Sequence, residues 1–371
     1  MSTIVGFEGA DEARGFDVVA APDAASAHSA DCFVLPRIGF GTANLGNLYR
    51  AITDEQAADV LEAAWQSGIR YYDTAPHYGL GLSERRLGAF LQTKPRDEFI
   101  VSTKVGRLIR ANPEGAGTRD VAHDFDVPAD RKRVGDQSEA GIRASHAESL
   151  ERLGLDRVDV LFLHDPEQYE REPHAPEPWE RESHDHDVRS PTEAVAEAAV
   201  EAYSALSALR DEGAVRAVGT GSMSVDALLQ AARTADLDIL MIAGRLTLAE
   251  QPSLAEVVPA ALANGQSIVA AGVFNSGLLA ENVPPADARY EYGQAPVEIL
   301  QRARQIAEIC ASFGVGLPTA ALQYTLRITP VTTVVMGTGR AEQVRQNVER
   351  FSERVPEELW EALAAAGLIP R

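Results

Sequence analysis

Residues 70–104 read RYYDTAPHYGLGLSERRLGAFLQTKPRDEFIVSTK, and their reading decides the fold. RYYD is a short aromatic run, TAPHYGLG is a turn punctuated by proline and glycine, and LSERRLGAFLQ has the period of an amphipathic helix. FIVSTK is a second, β-branched run. A strand, a helix that returns the chain, and another strand form the unit from which parallel sheets are built. Each strand ends in a polar residue where the chain must turn, Asp73 in the first and Lys104 in the second.

The same unit repeats to both sides. Before it stand RIGFG and the helix TDEQAADVLEAAWQSG, with Thr53 as N-cap, Gln56 at the capping-box position and Gly68 as the stop. After it, FIVSTK is followed by SEAGIRASHAESLERLG and VDVLFLH by TEAVAEAAVEAYSALSALRDEG. VRAVGTG pairs with SVDALLQAARTA, and DILMIAG with SLAEVVPAALANG. SIVAAGV pairs with APVEILQRARQIAEICASFG, and TTVVMGT with RAEQVRQNVERF, with an extra helical segment, PTAALQYTL, before that last strand. Near-continuous apolar strands alternating with helices imply a parallel sheet covered on its outer side. Eight units point to an α/β fold, a closed (β/α)8 TIM barrel, rather than an open doubly wound sheet. No G-x-G-x-x-G follows the first strand, as an open dinucleotide-binding sheet would require. The barrel is expected over residues 34–371, and residues 1–33, rich in Ala, Asp and Ser, as an N-terminal extension. Residues 108–137 and 165–191 break the rhythm. They read as long charged loops, poor in apolar residues, on the C-terminal face where barrel active sites lie.

Composition narrows the partners. The chain has 371 residues, 45% of them hydrophobic, and no apolar run near the roughly 18 residues of a membrane span. A formal charge of -21 disfavours nucleic acid and anionic membranes as partners and favours solubility. The acidic N-terminus lacks the pattern of a secretory signal, and two cysteines, Cys32 and Cys310, suit a reduced cytoplasm.

His164 ends VDVLFLH as Asp73 and Lys104 end their strands, and Tyr78 follows Asp73 in the loop. A barrel gathers strand-end residues at one rim. A free phenol, with a pKa of about 10, is a poor proton carrier near neutrality, and an adjacent lysine cation is expected to lower it. An adjacent carboxylate keeps a buried lysine charged, and an imidazole can orient or polarise the oxygen being oxidised or reduced.

The segments YYDTAPHYGLGLSERRLG, VSTKVGRL and LFLHDPE resemble the signature regions of the aldo-keto reductase superfamily. The likeness is greatest to its branch of aldose dehydrogenases, which holds L-fucose, D-threo-aldose and L-galactose dehydrogenases and pyridoxal 4-dehydrogenase. It runs from about Leu35 to the C-terminus. It implies a catalytic tetrad of Asp73, Tyr78, Lys104 and His164, with Tyr78 as acid/base. It implies oxidation of the anomeric hydroxyl of an aldose to a lactone, with pyridoxal oxidation or general aldehyde and ketone reduction as alternatives. A cofactor-binding regulatory subunit is the rival of another class, and the complete tetrad argues against it. A hydrolytic barrel lacks its paired carboxylates or metal site.

The tetrad has no group that holds electrons, so a hydride carrier must bind. VVMGTGRAEQVRQNVERF is a strand, a glycine-rich turn and a helix start, a phosphate-cradling arrangement. The resemblance assigns it to the adenosine end of a nicotinamide dinucleotide, through Gly337, Thr338, Arg340, Gln343 and Asn347. It assigns Phe274, Asn275, Ser276, Gly277 and Leu278 to the pyrophosphate, and Gly41 and Thr42 add to the site. Gly337–Thr338 and Gln343 stand where NADPH-dependent members carry a Lys-Ser pair and an Arg, which favours NAD, with NADP possible through Arg340. The Ser-Asn that holds the carboxamide is replaced by GTGSMS, with Ser222 standing in. The histidines of the second loop, His174, His184 and His186 after His164, match no closed metal motif, so no metal is expected. Tyr169 and Trp179 are read as packing that loop down, and Trp65 as core.

Overall fold

The computed structural model describes residues 35–168, 193–291 and 293–371. The proposed extension over 1–33 with Cys32, and most of the second long loop with Tyr169, His174, Trp179, His184 and His186, lie outside the described residues.

In chain order the elements are β1 (Ile38–Gly41), α1 (Asp54–Gln66), β2 (Tyr71–Asp73), α2 (Leu82–Leu91) and β3 (Ile100–Val105). Next come β4 (Arg107–Ala111), β5 (Arg131–Gly135), α3 (Glu139–Leu153), β6 (Val160–His164), α4 (Glu193–Asp211), β7 (Ala217–Ser222) and α5 (Val225–Thr234). Then follow β8 (Ile239–Ala243), α6 (Val257–Ala263), β9 (Ser267–Ala271), β10 (Arg289–Tyr290), β11 (Gly293–Gln294) and α7 (Val297–Ser312). The chain ends with α8 (Leu317–Tyr324), β12 (Val331–Met336), α9 (Ala341–Ser352) and α10 (Glu357–Ala365).

Eight strands close a barrel in the order β1-β12-β9-β8-β7-β6-β3-β2, every neighbouring pair parallel. These are the eight strands anticipated from the repeat. Alternation along them separates two cores. Tyr71, Val160, Phe162, Ala217, Ile239, Met241, Val269 and Val335 fill the barrel, while Tyr72, Val101, Leu161, Val218 and Leu240 pack outward against the helices. Two glycines make room for the largest interior rings. A Cβ at Gly39 would lie 2.4 Å from the Tyr71 ring, and one at Gly219 would lie 2.8 Å from the Phe162 ring.

The start of α1 is the anticipated capping box: Thr53 Oγ1 accepts from Gln56 N (3.2 Å), and Gln56 Oε1 accepts from Thr53 N (3.0 Å). Gly68 follows that helix with φ +86, a conformation glycine takes without strain. Trp65 is half-buried rather than sealed, packed edge-on against Phe90 with Arg70 over its face.

Two expectations change. The segment 108–137 is no apolar-poor loop: β4 and β5 pair as an antiparallel hairpin, and Ile109, Phe125 and Val127 bury themselves against Leu80. Its strands are polar ribbons whose few apolar residues close a cluster only in three dimensions. The second change is α10, beyond the last strand–helix unit, which packs Leu359, Trp360 and Leu363 into a cluster with α7 and α8. Among the described residues no single helix is long and apolar enough to cross a membrane.

Candidate active site

Asp73, Lys104 and His164 end or nearly end the adjacent strands β2, β3 and β6, and alternation turns all three inward at the C-terminal rim. Lys104 donates from Nζ to Asp73 Oδ2 (2.6 Å), to the Thr74 carbonyl (3.0 Å) and to the Tyr78 hydroxyl (3.0 Å). Asp73 Oδ1 accepts from Ser102 Oγ at 2.8 Å, so both carboxylate oxygens are engaged. The His164 ring stands edge-on to Tyr78, with centroids 6.0 Å apart. The structure thus brings together all four residues singled out at the strand exits.

Burial sets the electrostatics. It would deprotonate Lys104, but the charge of Asp73, with Tyr78 and the hydrogen bonds to both, outweighs it and holds the ammonium above its ordinary pKa. Tyr78 departs from expectation. Burial raises its pKa and the Lys104 cation only partly offsets this, so the phenol stays above 10 in the chain alone. His164 is held well below 6.5 by burial and then by the cations Arg107, Lys104 and Arg133, which keeps the imidazole neutral near pH 7.

The Tyr78 loop is pinned by close backbone contact. A Cβ on Gly79, at φ +63, would lie 2.2 Å from the Gly46 carbonyl, and one on Gly46 would lie 2.6 Å from the Tyr78 carbonyl carbon. Only glycine at both positions allows this approach. From the other side the hairpin presses Phe125 against Tyr78, ring centroids 6.3 Å apart. Arg133 of β5 donates to the His77 carbonyl (2.9 Å) and grips Asp120 with two bonds (3.0 and 2.7 Å).

Four residues near the tetrad carry no signal strong enough to single them out in sequence: His77, Arg107, Phe125 and Glu167. Arg107, two residues beyond the end of the VSTKV run, is the one a sequence could have flagged, as a cation opening an insertion beside the rim. It reaches His164 Nδ1 (3.3 Å), Asp165 Oδ2 (3.0 Å) and Gln168 Oε1.

The aldo/keto reductase family model matches residues 37–367. The chain belongs to the aldo/keto reductase family. Membership makes it an NAD(P)-dependent oxidoreductase, as the three signature segments imply. It is 54% identical over 337 residues to a D-threo-aldose 1-dehydrogenase of a Pseudomonas species, covering 91% of this chain and 95% of that protein. A pyridoxal 4-dehydrogenase of Microbacterium luteolum is 36% identical over 338 residues, covering 90% and 94%. Among solved structures, a glycerol dehydrogenase from Gluconobacter oxydans shares the fold, with a TM-score of 0.63 at 21% identity over 90% of this chain and 93% of that one.

Aldo/keto reductases use a nicotinamide cofactor, and the rim fits one. The candidate segments Gly41–Thr42, Phe274–Leu278 and Gly337–Asn347 leave the neighbouring strands β1, β9 and β12. Where β1 and β12 exit, a Cβ on Gly337 would lie 2.8 Å from the Gly41 carbonyl, so the floor there is bare backbone. The first amides of α9 have no side-chain cap, as an anion-binding helix start requires. Among the described residues, the buried acceptors without a protein partner include Asn275 Oδ1 in the β9 loop and Glu167 Oε2 beside Ser222. Such orphans are costly unless a ligand donates to them.

The other candidates sit differently. The Thr42 hydroxyl donates to the Asp73 carbonyl (2.9 Å) and accepts from Ser83 (2.7 Å), so it braces the tetrad's backbone and faces inward. Ser222 donates to Glu167 Oε1 (2.7 Å) and accepts from Ser224 N (2.8 Å), so the group open at that point is the carboxylate of Glu167. The Thr338 hydroxyl donates to Gln343 Oε1 (2.5 Å), Asn347 accepts from Arg350 (3.0 Å), and Arg340 is exposed. Ser276 bonds the side chain of Tyr49 across the mouth.

Proposed function

We propose that this aldo/keto reductase is an aldose 1-dehydrogenase of the cytoplasm, preferring NAD, that oxidises the anomeric hydroxyl of a sugar to a lactone. The carrying observation is the contact of the Tyr78 hydroxyl with Lys104 Nζ at 3.0 Å, with Asp73 beyond it at 2.6 Å. The 54% identity to a D-threo-aldose 1-dehydrogenase supports the substrate class.

In this reading the bound nicotinamide dinucleotide supplies the hydride acceptor, held by Gly337, Thr338, Arg340, Gln343 and Asn347 at its adenosine end and by Phe274 to Leu278 at the pyrophosphate. Gly41 floors the cleft, and Ser222 acts at the carboxamide through Glu167. Tyr78, as phenolate, takes the proton of the hydroxyl at C1 while the C1 hydrogen departs as hydride. The electron pair left on that oxygen forms the second bond of the lactone carbonyl as the C1–H bond breaks. Lys104 stabilises the phenolate, Asp73 keeps Lys104 charged, and neutral His164 donates a hydrogen bond to the reacting oxygen. The loss of one proton and one hydride balances the oxidation. Residues 34–371 carry this whole apparatus.

Pyridoxal is the second reading, because it also forms a cyclic hemiacetal that yields a lactone and because a pyridoxal 4-dehydrogenase is 36% identical. Initial rates with a panel of aldoses and pyridoxal, each with NAD+ and NADP+, test both. Aldoses with NAD+ are expected to give the highest kcat/KM. Turnover confined to pyridoxal would reassign the substrate. Near-normal turnover by Tyr78→Phe would sink the mechanism, which expects a loss of about 10²–10⁴-fold. Cofactor binding with no turnover of any alcohol or carbonyl would favour a regulatory subunit.

A further inference from the structure

His164 can serve the reacting oxygen only if the correct ring nitrogen carries the proton. A neutral imidazole has one N–H and one lone pair, and what holds the far nitrogen decides which is which. In a Ser-His-Asp triad a carboxylate accepts from Nδ1–H, leaving Nε2 with the lone pair of a base. Here the partner of Nδ1 has the opposite character. Arg107 Nη1 lies 3.3 Å from His164 Nδ1, and a guanidinium, charged at every relevant pH, only donates. Nδ1 must therefore accept, and the single proton of the neutral ring sits on Nε2.

The rest of the surroundings agree. Nε2 is 3.6 Å from Asp165 Oδ2, beyond hydrogen-bond length, so its N–H is not consumed there. Arg107 is itself fixed, with its side chain 13% exposed and its Nη2 on Asp165 Oδ2 at 3.0 Å and on Gln168. The charged and titratable groups facing the ring are Lys104 from β3, Arg107 from β4, Arg133 from β5, His77 and Tyr78 from the β2–α2 loop, and Asp165 beside it. The cations outnumber the carboxylate, so the neutral form is favoured along with the tautomer.

We propose that Arg107 is a positioning residue that locks His164 as the Nε2–H tautomer, making it an obligatory hydrogen-bond donor and denying it the role of a base. Tyr78 is then the sole proton carrier of the rim. This rests on the reading of His164 as the group facing the reacting oxygen, but the tautomer is measurable without turnover.

The test is long-range ¹H–¹⁵N NMR of the full chain labelled at histidine nitrogen, with His164→Asn to assign the signal. The wild type is expected to show a pyrrole-like Nε2 and a pyridine-like Nδ1 that do not titrate between about pH 5.5 and 8.5. Arg107→Met, which cannot donate, is expected to average or reverse that pattern. It should lower kcat by about tenfold and change KM by less than about threefold. Arg107→Lys, which like arginine can only donate, should restore the pattern and most of kcat. A wild-type ring protonated on Nδ1, or an unchanged spectrum in Arg107→Met, overturns the proposal. If Arg107→Met fails to fold, the wild-type and Arg107→Lys spectra still decide it. A locked Nε2–H ring in an enzyme whose turnover ignores His164→Asn would uphold the tautomer and reject the mechanism.

Discussion

Lys104 and Asp73 share a hydrogen-bonded ion pair of 2.6 Å with side chains only 2% and 4% exposed. A pair this deeply buried is costly to break by halves, because the survivor is left charged without a partner, at about 3–5 kcal/mol. Asp73→Asn should therefore lower both stability and turnover. The ammonium loses the charge that keeps it protonated, and the phenol loses the cation that favours its ionisation. Turnover is expected to fall by about 10²–10⁴-fold, with NAD+ affinity changing far less. Steady-state kinetics beside a thermal melt would check this, and near-normal kcat would remove Asp73 from the relay.

Tyr78 gives the pH dependence its sign. Its pKa lies above 10 because burial exceeds the help from Lys104, so the phenolate is the minor form near neutrality and grows with pH. Oxidation, which needs the phenolate, should quicken from about pH 6 to about pH 9, whereas reduction, which needs the phenol, should not. Lys104→Met removes the opposing cation, raises the Tyr78 pKa further and slows oxidation at any fixed pH in this span. Profiles of kcat/KM in both directions would settle it. An oxidation rate that falls as pH rises contradicts the assignment.

The parts of this site that sequence exposes are those with a local signature. Strand exits follow from period, so Asp73, Lys104 and His164 could be placed at one rim, and Tyr78 follows at a distance a loop can span. What escapes is whatever depends on residues meeting from afar. The upward shift of Tyr78 comes from desolvation under Phe125 and its neighbours, and Phe125 sits in a hairpin whose strands, RLIRA and RKRVG, have no apolar alternation to announce them. Arg107 is visible as a residue but not as a donor to His164, since that contact spans 57 positions. The helix EELWEALAA does carry the period. It goes unread because eight units already complete a barrel.

Glu167 ties stability to pH. Burial, and then the nearby Asp165 carboxylate, push its pKa from 4.5 to about 7. The folded state thus holds this proton more tightly than the unfolded chain does. The contribution is complete below about pH 4.5 and is lost as pH rises through about 7, to an extent of about 3 kcal/mol at most. Glu167→Gln keeps an acceptor for Ser222 and cannot ionise. It should flatten this part of the stability profile and raise Tm by a few degrees at about pH 8 relative to wild type, with little change at about pH 5. Melts at the two pH values test it, and an equal shift at both would show that ionisation plays no part.

In the proposed reading, cofactor preference turns on the pair Thr338 and Gln343, joined by a 2.5 Å hydrogen bond at the start of α9. Neither is cationic, so a ribose phosphate would meet two neutral side chains and the exposed Arg340. NAD+ should be preferred, and the preference should be reversible from one position only. Gly337 is closed to a side chain, because a Cβ there would lie 2.8 Å from the Gly41 carbonyl, so a lysine at that site would distort the β1–β12 exit. Gln343 is exposed on α9, and an arginine there has room to offer a bidentate donor to phosphate. Gln343→Arg should raise kcat/KM for NADP+ by about tenfold, through KM rather than kcat, and leave the NAD+ value within about threefold. Because phosphate contacts are screened, the gain should shrink as salt is raised. A wild type that already favours NADP+, or a Gln343→Arg variant with no gain, would move the adenosine site away from α9.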